Sequence, residues 1–205
     1  MIGIVDYGVG NVLAFAHMYK RMNVAFKVVK SAQDCSDVSG VILPGVGSFD
    51  FAMSRLNSSG LRDVLDRVVL QDTKPVLGIC VGMQMLADRS DEGELPGLGW
   101  IPGEVKKFRA TEVGSDIHLP HMGWDNLTVI KDNQLLNSLN SEAWFYYLHS
   151  YYFECAESSD ELASCDYGQR FACVVKRDNV YGVQFHPEKS HDYGARLLKN
   201  FSEFL

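Results

Sequence analysis

A cysteine stands between two glycines at the junction of a predicted strand and a predicted helix. Residues 75–87 read P-V-L-G-I-C-V-G-M-Q-M-L-A, with G-x-C-x-G at the centre. This is the nucleophile-elbow pattern with sulfur in place of oxygen. The apolar run at 75–79 predicts a short buried strand and residues 82–87 the start of a helix, so Cys80 would lie on the sharp turn between them, where helix N–H groups stabilise a thiolate. A buried structural cysteine is the alternative, but the flanking glycines favour the elbow because such a turn crowds its neighbours.

A histidine that could serve this cysteine follows another predicted strand. Residues 180–185 read V-Y-G-V-Q-F, and H-P-E comes directly after them. Pro187 fixes its own φ and biases His186 away from helical geometry, so the imidazole would be presented from a stiff turn. Glu188 could turn back and hold the ring. Nucleophile, base and orienting carboxylate together predict a Cys80–His186–Glu188 catalytic triad. A structural histidine is the alternative for His186 taken alone.

Strands and helices alternate along the first 80 residues. Strands are predicted at 2–6, 24–30, 40–44 and 75–79, and helices at 11–22, 49–56 and 60–71. This alternation predicts a parallel sheet with helices on both faces. Short strands are predicted afterwards, at 104–109, 125–130, 144–153, 162–166, 171–176 and 180–185, before a closing helix at 191–205. We therefore expect an α/β fold with an open, mostly parallel central sheet and an antiparallel C-terminal extension, in a single domain over 1–205.

The motifs of this chain resemble those of a known enzyme family. G-I-C-V-G-M-Q and G-V-Q-F-H-P-E-K-S are similar to the class I (triad) glutamine amidotransferases. Four further segments resemble the glutaminase subunits of imidazole glycerol phosphate synthase: D-Y-G-V-G-N at 6–11, L-P-G-V-G at 43–47, P-H-M-G-W at 120–124 and Y-Y-L-H-S-Y-Y at 146–152. The resemblance runs nearly end to end and implies the class I glutamine amidotransferase fold. Paralogues that supply ammonia for sugar amidation in surface-polysaccharide synthesis are also similar and remain an alternative.

The resemblance implies a role for each triad residue. Cys80 would attack the side-chain amide of L-glutamine, and His186, oriented by Glu188, would protonate the departing ammonia and then activate water against the thioester. The backbone N–H of Val81 is expected in the oxyanion hole because it follows the nucleophile. The family likeness adds the stretch Gly45-Val46-Gly47, with Val46 and Gly47 contributing to the oxyanion hole.

Substrate and partner contacts are also implied by the resemblance. Gly45, Gln84, Glu92, Ser150 and Tyr151 match positions of the glutamine pocket, where Glu92 would hold the α-amino group and Ser150 and Tyr151 would line the α-carboxylate side. Asn11 and Trp124 match positions that face the partner subunit.

The implied partner is a cyclase subunit with a (β/α)₈ barrel, bound as a heterodimer. It would receive ammonia and form imidazole glycerol phosphate and an aminoimidazole carboxamide ribotide in histidine biosynthesis. No cofactor is implied, and a metal site is not expected because His118 and His121 form only an H-x-x-H that Pro120 keeps from a helix. A stand-alone cysteine hydrolase and a binding module with a vestigial pocket are the other readings.

Composition limits the setting of the protein. The net charge of −7 argues against broad binding to nucleic acid or to an anionic membrane. No apolar run is long enough to span a bilayer, and the N-terminus lacks a cleavable signal pattern. Five cysteines without framework spacing suggest a reducing, cytoplasmic location.

Two segments depart from the family pattern. Asp125 stands where the family has asparagine after P-H-M-G-W, so an extra carboxylate would lie near the expected subunit contact. The segment K-S-H-D-Y-G at 189–194 resembles the polysaccharide paralogues. Neither departure touches the triad.

Overall fold

The first part of the chain forms the predicted alternation of strands and helices. The computed structural model describes residues 1–108, 118–139 and 142–205. The elements up to the cysteine turn are β1 (Ile2–Val5), α1 (Val12–Arg21), β2 (Phe26–Val29), β3 (Gly40–Gly45), α2 (Phe49–Ser58), α3 (Arg62–Asp66), β4 (Val76–Cys80) and α4 (Val81–Gln84). A π turn, Arg67–Gln71, continues α3. The prediction of a helix over 82–87 was too long, because α4 is a single turn.

The second part is dominated by short strands. Its elements are β5 (Arg89–Ser90), β6 (Gly103–Lys107), β7 (His121–Asn126), β8 (Thr128–Val129), β9 (Trp144–His149), β10 (Tyr151–Cys155), β11 (Glu161–Asp166), β12 (Arg170–Arg177), β13 (Val180–Val183) and α5 (His191–Glu203). The last residue of the strand predicted over 104–109 lies outside the described residues. Among the residues described, no helix is long and apolar enough to cross a membrane.

One large mixed sheet carries both catalytic motifs. Its strands follow the order β2-β1-β3-β4-β13-β12-β10-β6-β5, with β11 paired to β12 and β8 paired to β11. The five strands from β2 to β13 run parallel to their neighbours, and β12, β10 and β6 continue the sheet with antiparallel pairings. The predicted fold class is therefore confirmed. β4 and β13 are adjacent, and Ile79 pairs with Val183. The turns that follow these two strands must emerge side by side.

The aromatic segment 144–153 was predicted as one strand, and this prediction was wrong. β9 ends at His149 and pairs with β7 in a separate two-stranded antiparallel sheet, which we call the ribbon. β10 starts at Tyr151 and pairs with β6 and β12 in the large sheet. The apolar and aromatic pattern continues across the bend at Ser150, so periodicity alone does not reveal that the chain changes sheets. The strand predicted over 125–130 is likewise divided between β7 and β8.

Candidate active site

Cys80 lies on a strained turn between β4 and α4. Its backbone has φ 54° and ψ −113°, an unfavourable region for a residue with a Cβ. Gly82 makes the turn possible, since a Cβ there would lie 2.0 Å from the carbonyl oxygen of Leu43 on β3. A Cβ on Gly78 would lie 2.5 Å from the carbonyl oxygen of Gly82. The flanking glycines thus let the turn press against the sheet, as the sequence predicted.

His186 and Glu188 are joined in the turn that follows β13. His186 Nδ1 lies 2.9 Å from Glu188 Oε1, and the side chain of His186 is close enough to Cys80 for the sulfur to raise the pKa of the ring. The histidine backbone is held on both sides: its N–H donates to Tyr146 O at 2.9 Å, and its carbonyl accepts from Ser190 Oγ at 2.6 Å. Cys80, His186 and Glu188 therefore lie together at the rim of the sheet.

The environment of His186 favours its protonated form. Burial by itself lowers the pKa of His186, but the hydrogen bonds and charges of Cys80 and Glu188 outweigh it and raise the pKa to about 10. The imidazole consequently carries a proton near neutral pH. A protonated histidine beside a sulfur can stabilise a thiolate and later donate its proton to a leaving group.

A cavity of about 320 Å³ lies over the sulfur, and we call it the elbow cavity. Its lining residues lie between positions 46 and 189 of the sequence. It contains nine of the residues singled out from the sequence: Val46, Gly47, Cys80, Val81, Gln84, Glu92, Ser150, Tyr151 and His186. Cavities with a few convergent polar groups and residues of shifted pKa are the usual place for catalysis.

Three predicted contact residues lie outside this lining. Gly45 pairs with Cys80 across β3 and β4, and a Cβ on it would lie 2.2 Å from the Gly82 nitrogen, so the observed contact of Gly45 is with the elbow backbone. Asn11 is exposed at the start of α1. Trp124 is exposed on the ribbon and stacks on His191, with ring centroids 5.1 Å apart.

Two polar side chains of the elbow cavity, Glu92 and Gln84, are held in place by hydrogen bonds. Glu92 Oε2 accepts a hydrogen bond from the backbone N–H of Phe49 at 2.8 Å, at the N-terminus of α2. Gln84 is buried, and its Nε2 donates to Tyr151 O and to Gln184 Oε1, both at 3.1 Å. A carboxylate fixed at this position is suited to bind a cationic group.

Sequence reasoning missed five residues of the lining or its immediate surroundings. They are Pro120, Leu148, His149, Gln184 and Lys189. The thiol of Cys80 donates to Leu148 O at 3.9 Å, and Gln184 Nε2 donates to Cys80 Sγ at 3.8 Å. Gln184 carried a usable signal, a polar residue inside an apolar strand pattern next to H-P-E. The other four carried none, because their positions depend on the ribbon and on the turn after β13.

The ribbon contributes a second buried histidine to the elbow cavity. His149 Nδ1 lies 2.8 Å from Tyr151 O, which can only accept, so this nitrogen carries the hydrogen and Nε2 accepts from His121 Nδ1 at 3.1 Å. Burial lowers the pKa of His149 to about 3 and that of His121 to about 4. Both rings are neutral at physiological pH. Within residues 1–108, 118–139 and 142–205, no group of three or more His, Cys, Asp or Glu side chains could hold a metal ion.

Tyr7 supports the strand that leads into the predicted oxyanion stretch. Its hydroxyl is buried and donates to Pro44 O at 2.7 Å. Pro44 precedes Gly45, and Gly47 has φ +85°, in the region that favours glycine. The segment is therefore tethered at its start and free of side-chain constraint at its end.

Known proteins similar to this chain share its whole length. The sequence profile of the family described as "Glutamine amidotransferase class-I" matches residues 3–203. A protein of Bdellovibrio bacteriovorus named "Imidazole glycerol phosphate synthase subunit HisH" is 55% identical over 203 residues, which are 99% of this chain and 100% of that protein. A protein of Leptospira interrogans with the same name is 52% identical over 202 residues, 98% of this chain and 99% of its own length.

Solved structures with lower identity share the fold. A crystal structure of a glutamine amidotransferase is 21% identical, with a TM-score of 0.75, and the match covers 98% of this chain and 97% of that one. A chain in the structure of PurLQS from Thermotoga maritima is 16% identical, with a TM-score of 0.72, and the match covers 99% of this chain and 97% of that one.

Proposed function

Because the chain belongs to the class I glutamine amidotransferase family, we propose that it is the glutaminase subunit of an imidazole glycerol phosphate synthase. The observation that carries the proposal is that Cys80 and His186 line the same elbow cavity, with Glu188 Oε1 2.9 Å from His186 Nδ1. The full-length relatives that bear this name support the choice of pathway. The whole chain, 1–205, acts in this proposal as one cytoplasmic glutamine amidotransferase domain that needs no cofactor.

The reaction begins with the sulfur of Cys80 attacking the side-chain amide carbon of L-glutamine. The tetrahedral oxyanion accepts hydrogen bonds from the backbone N–H of Val81 and from the Val46–Gly47 stretch. Protonated His186 gives its proton to the departing nitrogen, which leaves as ammonia and forms a glutamyl thioester. His186 then takes a proton from water, hydroxide attacks the thioester, and glutamate and free Cys80 result.

The walls of the elbow cavity have polar groups suited to both ends of an amino acid. Glu92, fixed at the N-terminus of α2, binds the α-amino group of glutamine in this proposal. Ser150 and Tyr151, at the bend between β9 and β10, face the α-carboxylate. Gln84 lies one helical turn beyond Cys80 and completes the wall.

The partner subunit docks on the apolar side of the ribbon. Met122 pairs with Leu148, Trp124 pairs with Tyr146, and Trp144 lies at the end of the same face. Met122 is 64% exposed, Trp144 48%, Trp124 42% and Leu148 37%, and we call these four residues the ribbon face. An apolar patch of this kind marks a protein interface, and tryptophan is a common hot spot there. The patch adjoins the elbow cavity through Leu148, so ammonia could pass directly to a (β/α)₈ cyclase bound as a heterodimer.

The proposal is tested by measuring glutamine hydrolysis with and without a synthase subunit. We expect low activity for the isolated chain and strong stimulation by the cyclase subunit loaded with its phosphoribosyl substrate, with Cys80→Ala inactive in both cases. Stimulation only by a sugar amidotransferase would assign the chain to the polysaccharide paralogues, which the segment 189–194 resembles. Equal activity in the presence and absence of every synthase would contradict the proposal.

Replacement of Trp124 by alanine tests the docking surface. We expect Trp124→Ala to weaken binding of the synthase subunit by about 30-fold, the effect of losing one interface hot spot. Leu70→Ala is the matched control, because Leu70 is 57% exposed but precedes β4, at the opposite end of the sheet from the elbow. Binding is measured by titration calorimetry. A ribbon variant that binds as tightly as the Leu70→Ala control would remove this face from the interface.

A further inference from the structure

A chain of buried hydrogen bonds connects the nucleophilic sulfur to the ribbon. Gln184 Nε2 donates to Cys80 Sγ at 3.8 Å, and Gln184 Oε1 accepts from Gln84 Nε2 at 3.1 Å. Gln84 Nε2 also donates to Tyr151 O, which accepts in addition from His149 Nδ1 at 2.8 Å. Gln84 and Gln184 are almost completely buried. Buried amides are costly unless paired, so each link constrains the next.

The Tyr151 carbonyl determines the orientation of both side-chain amides. A backbone carbonyl only accepts, so Gln84 must present its NH₂ group there, and both hydrogens of that group are used. Gln184 must then present its carbonyl oxygen to Gln84, because two NH₂ groups cannot face each other. Its own NH₂ group is left pointing at Cys80 Sγ. Reversing both amides would place two acceptors, Gln84 Oε1 and Tyr151 O, in contact, and reversing only one would place two acceptors or two donors between Gln84 and Gln184.

We propose that Gln184 is a further catalytic residue of the glutaminase reaction, whose side-chain N–H stabilises the Cys80 thiolate by a hydrogen bond and is held in that orientation by Gln84 and Tyr151 O. This inference rests on the proposed function for the identity of the reaction, but the stabilisation of the thiolate does not depend on it. The donor acts on the sulfur itself, whether or not glutamine is bound.

The two polar neighbours of the sulfur favour opposite states. Leu148 O, 3.9 Å away, accepts from the S–H group and therefore favours the neutral thiol. Gln184 N–H donates and therefore favours the anion, since hydrogen bonds to charged groups are stronger than those to neutral ones. The Gln184 contact gains strength when Cys80 ionises, while the Leu148 contact loses it, so the donor raises the population of the nucleophilic thiolate.

Other titratable groups also face the sulfur and must be held constant in a test. The charge of Cys80 acts on both His186 and Tyr7, so these two groups lie within electrostatic range of the sulfur. Glu92, His149, Tyr151 and Lys189 line the same cavity. Gln184 itself does not titrate, so its replacement by a neutral side chain changes the sulfur environment without adding or removing a proton site.

The test is the pH dependence of Cys80 alkylation by iodoacetamide, followed by mass spectrometry of the peptide that contains Cys80. Gln184→Met keeps the size of the side chain and removes the N–H donor. We expect the midpoint of its alkylation profile to rise by about one pH unit, from the usual strength of a hydrogen bond to an anion. Gln184→Leu, which also removes the N–H donor and adds no proton site, should give a shift of similar size.

Asn200→Leu is the control for loss of a buried amide. Asn200 donates to Leu135 O and Asn137 O, away from the elbow, so its replacement should leave the Cys80 profile in place. If the Gln184 variants do not fold, the side-chain amide resonances of Gln184 in the unsubstituted protein should shift as Cys80 ionises and stop shifting after Cys80 is alkylated. An unchanged alkylation midpoint, or amide resonances that do not respond to Cys80, would overturn the inference. Because alkylation needs no glutamine, these results stand apart from any failure of the glutaminase assay.

Discussion

Two histidines line the same elbow cavity, and their surroundings give them opposite properties. His186, on the turn after β13, contacts the carboxylate of Glu188 and the sulfur of Cys80, and its pKa rises to about 10. His149, on the ribbon, contacts a backbone carbonyl and the neutral ring of His121, and burial lowers its pKa to about 3. Both rings are buried, so burial does not separate them.

The difference lies in the charge of the hydrogen-bond partner. An anion beside a buried imidazole compensates the cost of its positive charge, whereas a carbonyl or a second neutral ring does not. His186, on the turn after β13, is therefore a proton donor, whereas His149, on the ribbon, is a neutral structural residue. Whether a buried histidine can act as an acid or only as a structural residue thus depends on whether its ring nitrogen contacts an anion or a neutral group.

Replacement of Glu188 by glutamine has the largest expected effect, because it removes the anion that distinguishes the surroundings of His186 from those of His149. Without the carboxylate, the pKa of His186 falls toward the behaviour of His149, and the ring orientation is lost. We expect kcat for glutamine hydrolysis to fall by about 10²–10⁴-fold, the usual contribution of acid–base catalysis. The measurements are kcat in the synthase complex and an NMR titration of His186.

The same variant has a stability signature. The raised pKa of His186 contributes stability that is complete below about pH 6.5 and is lost as the pH rises through about 10. Glu188→Gln should therefore lose less stability than the unsubstituted protein over this alkaline range. Glu157→Gln, at an exposed carboxylate, is the control. An unchanged titration of His186 in Glu188→Gln would show that the carboxylate is not its charge partner.

Acid unfolding tests whether the two buried ribbon histidines are neutral in the folded protein. Because the pKa values of His121 and His149 lie below 6.5 in the folded protein, the unfolded chain binds more protons between about pH 6.5 and pH 4. Stability should fall as the pH drops through this window, by about 2 kcal/mol for each ring between neutral pH and pH 5.

His149→Gln replaces the ring N–H with an amide N–H donor that does not titrate. It should reduce this loss of stability by about 2 kcal/mol, measured by urea unfolding at pH 7 and pH 5. His17→Gln, at an exposed histidine, serves as the control. If His149→Gln and the unsubstituted protein lose equal stability on acidification, His149 is not a neutral buried histidine in the folded protein.

Asp125 at the far end of the histidine pair should give the smallest effect. Its Oδ2 lies 3.7 Å from His121 Nε2, and burial raises the pKa of its carboxyl group. A raised carboxyl pKa means that the ionised form is disfavoured in the folded state, so Asp125→Asn should stabilise the protein at pH 7 by under about 1 kcal/mol. The gain should vanish below the ordinary carboxyl pKa. Denaturant melts at pH 7 and pH 3 check this, and a loss of stability at pH 7 would show that the carboxylate pairs with a protonated His121.

Local chemistry made much of the site predictable. The elbow follows from Gly78 and Gly82, because no other residue allows the observed approach of the backbone, and the H-P-E turn follows from the fixed φ of Pro187. The two motifs meet because parallel strands β4 and β13 place their carboxyl ends at one rim. The alternation of helices and strands in the first 80 residues could also be predicted from the sequence, because helices and strands have different apolar periodicities.

The remaining features depend on contacts between distant parts of the chain. The bend at Ser150 separates a ribbon strand from a sheet strand within one aromatic run, and a period of two cannot tell which sheet a strand will join. Leu148 reaches the elbow cavity from the ribbon, and Lys189 reaches it from the turn after β13.

By itself, the sequence predicted Cys80, His186 and Glu188 as one group of residues and the α/β frame that holds them, because glycine, proline and apolar periodicity act over a few residues. The tertiary structure alone decided that Gln184 faces the sulfur across 104 positions of sequence and that His149 is neutral while His186 is charged. Strand register and burial set those outcomes, and both are properties of the packed molecule as a whole.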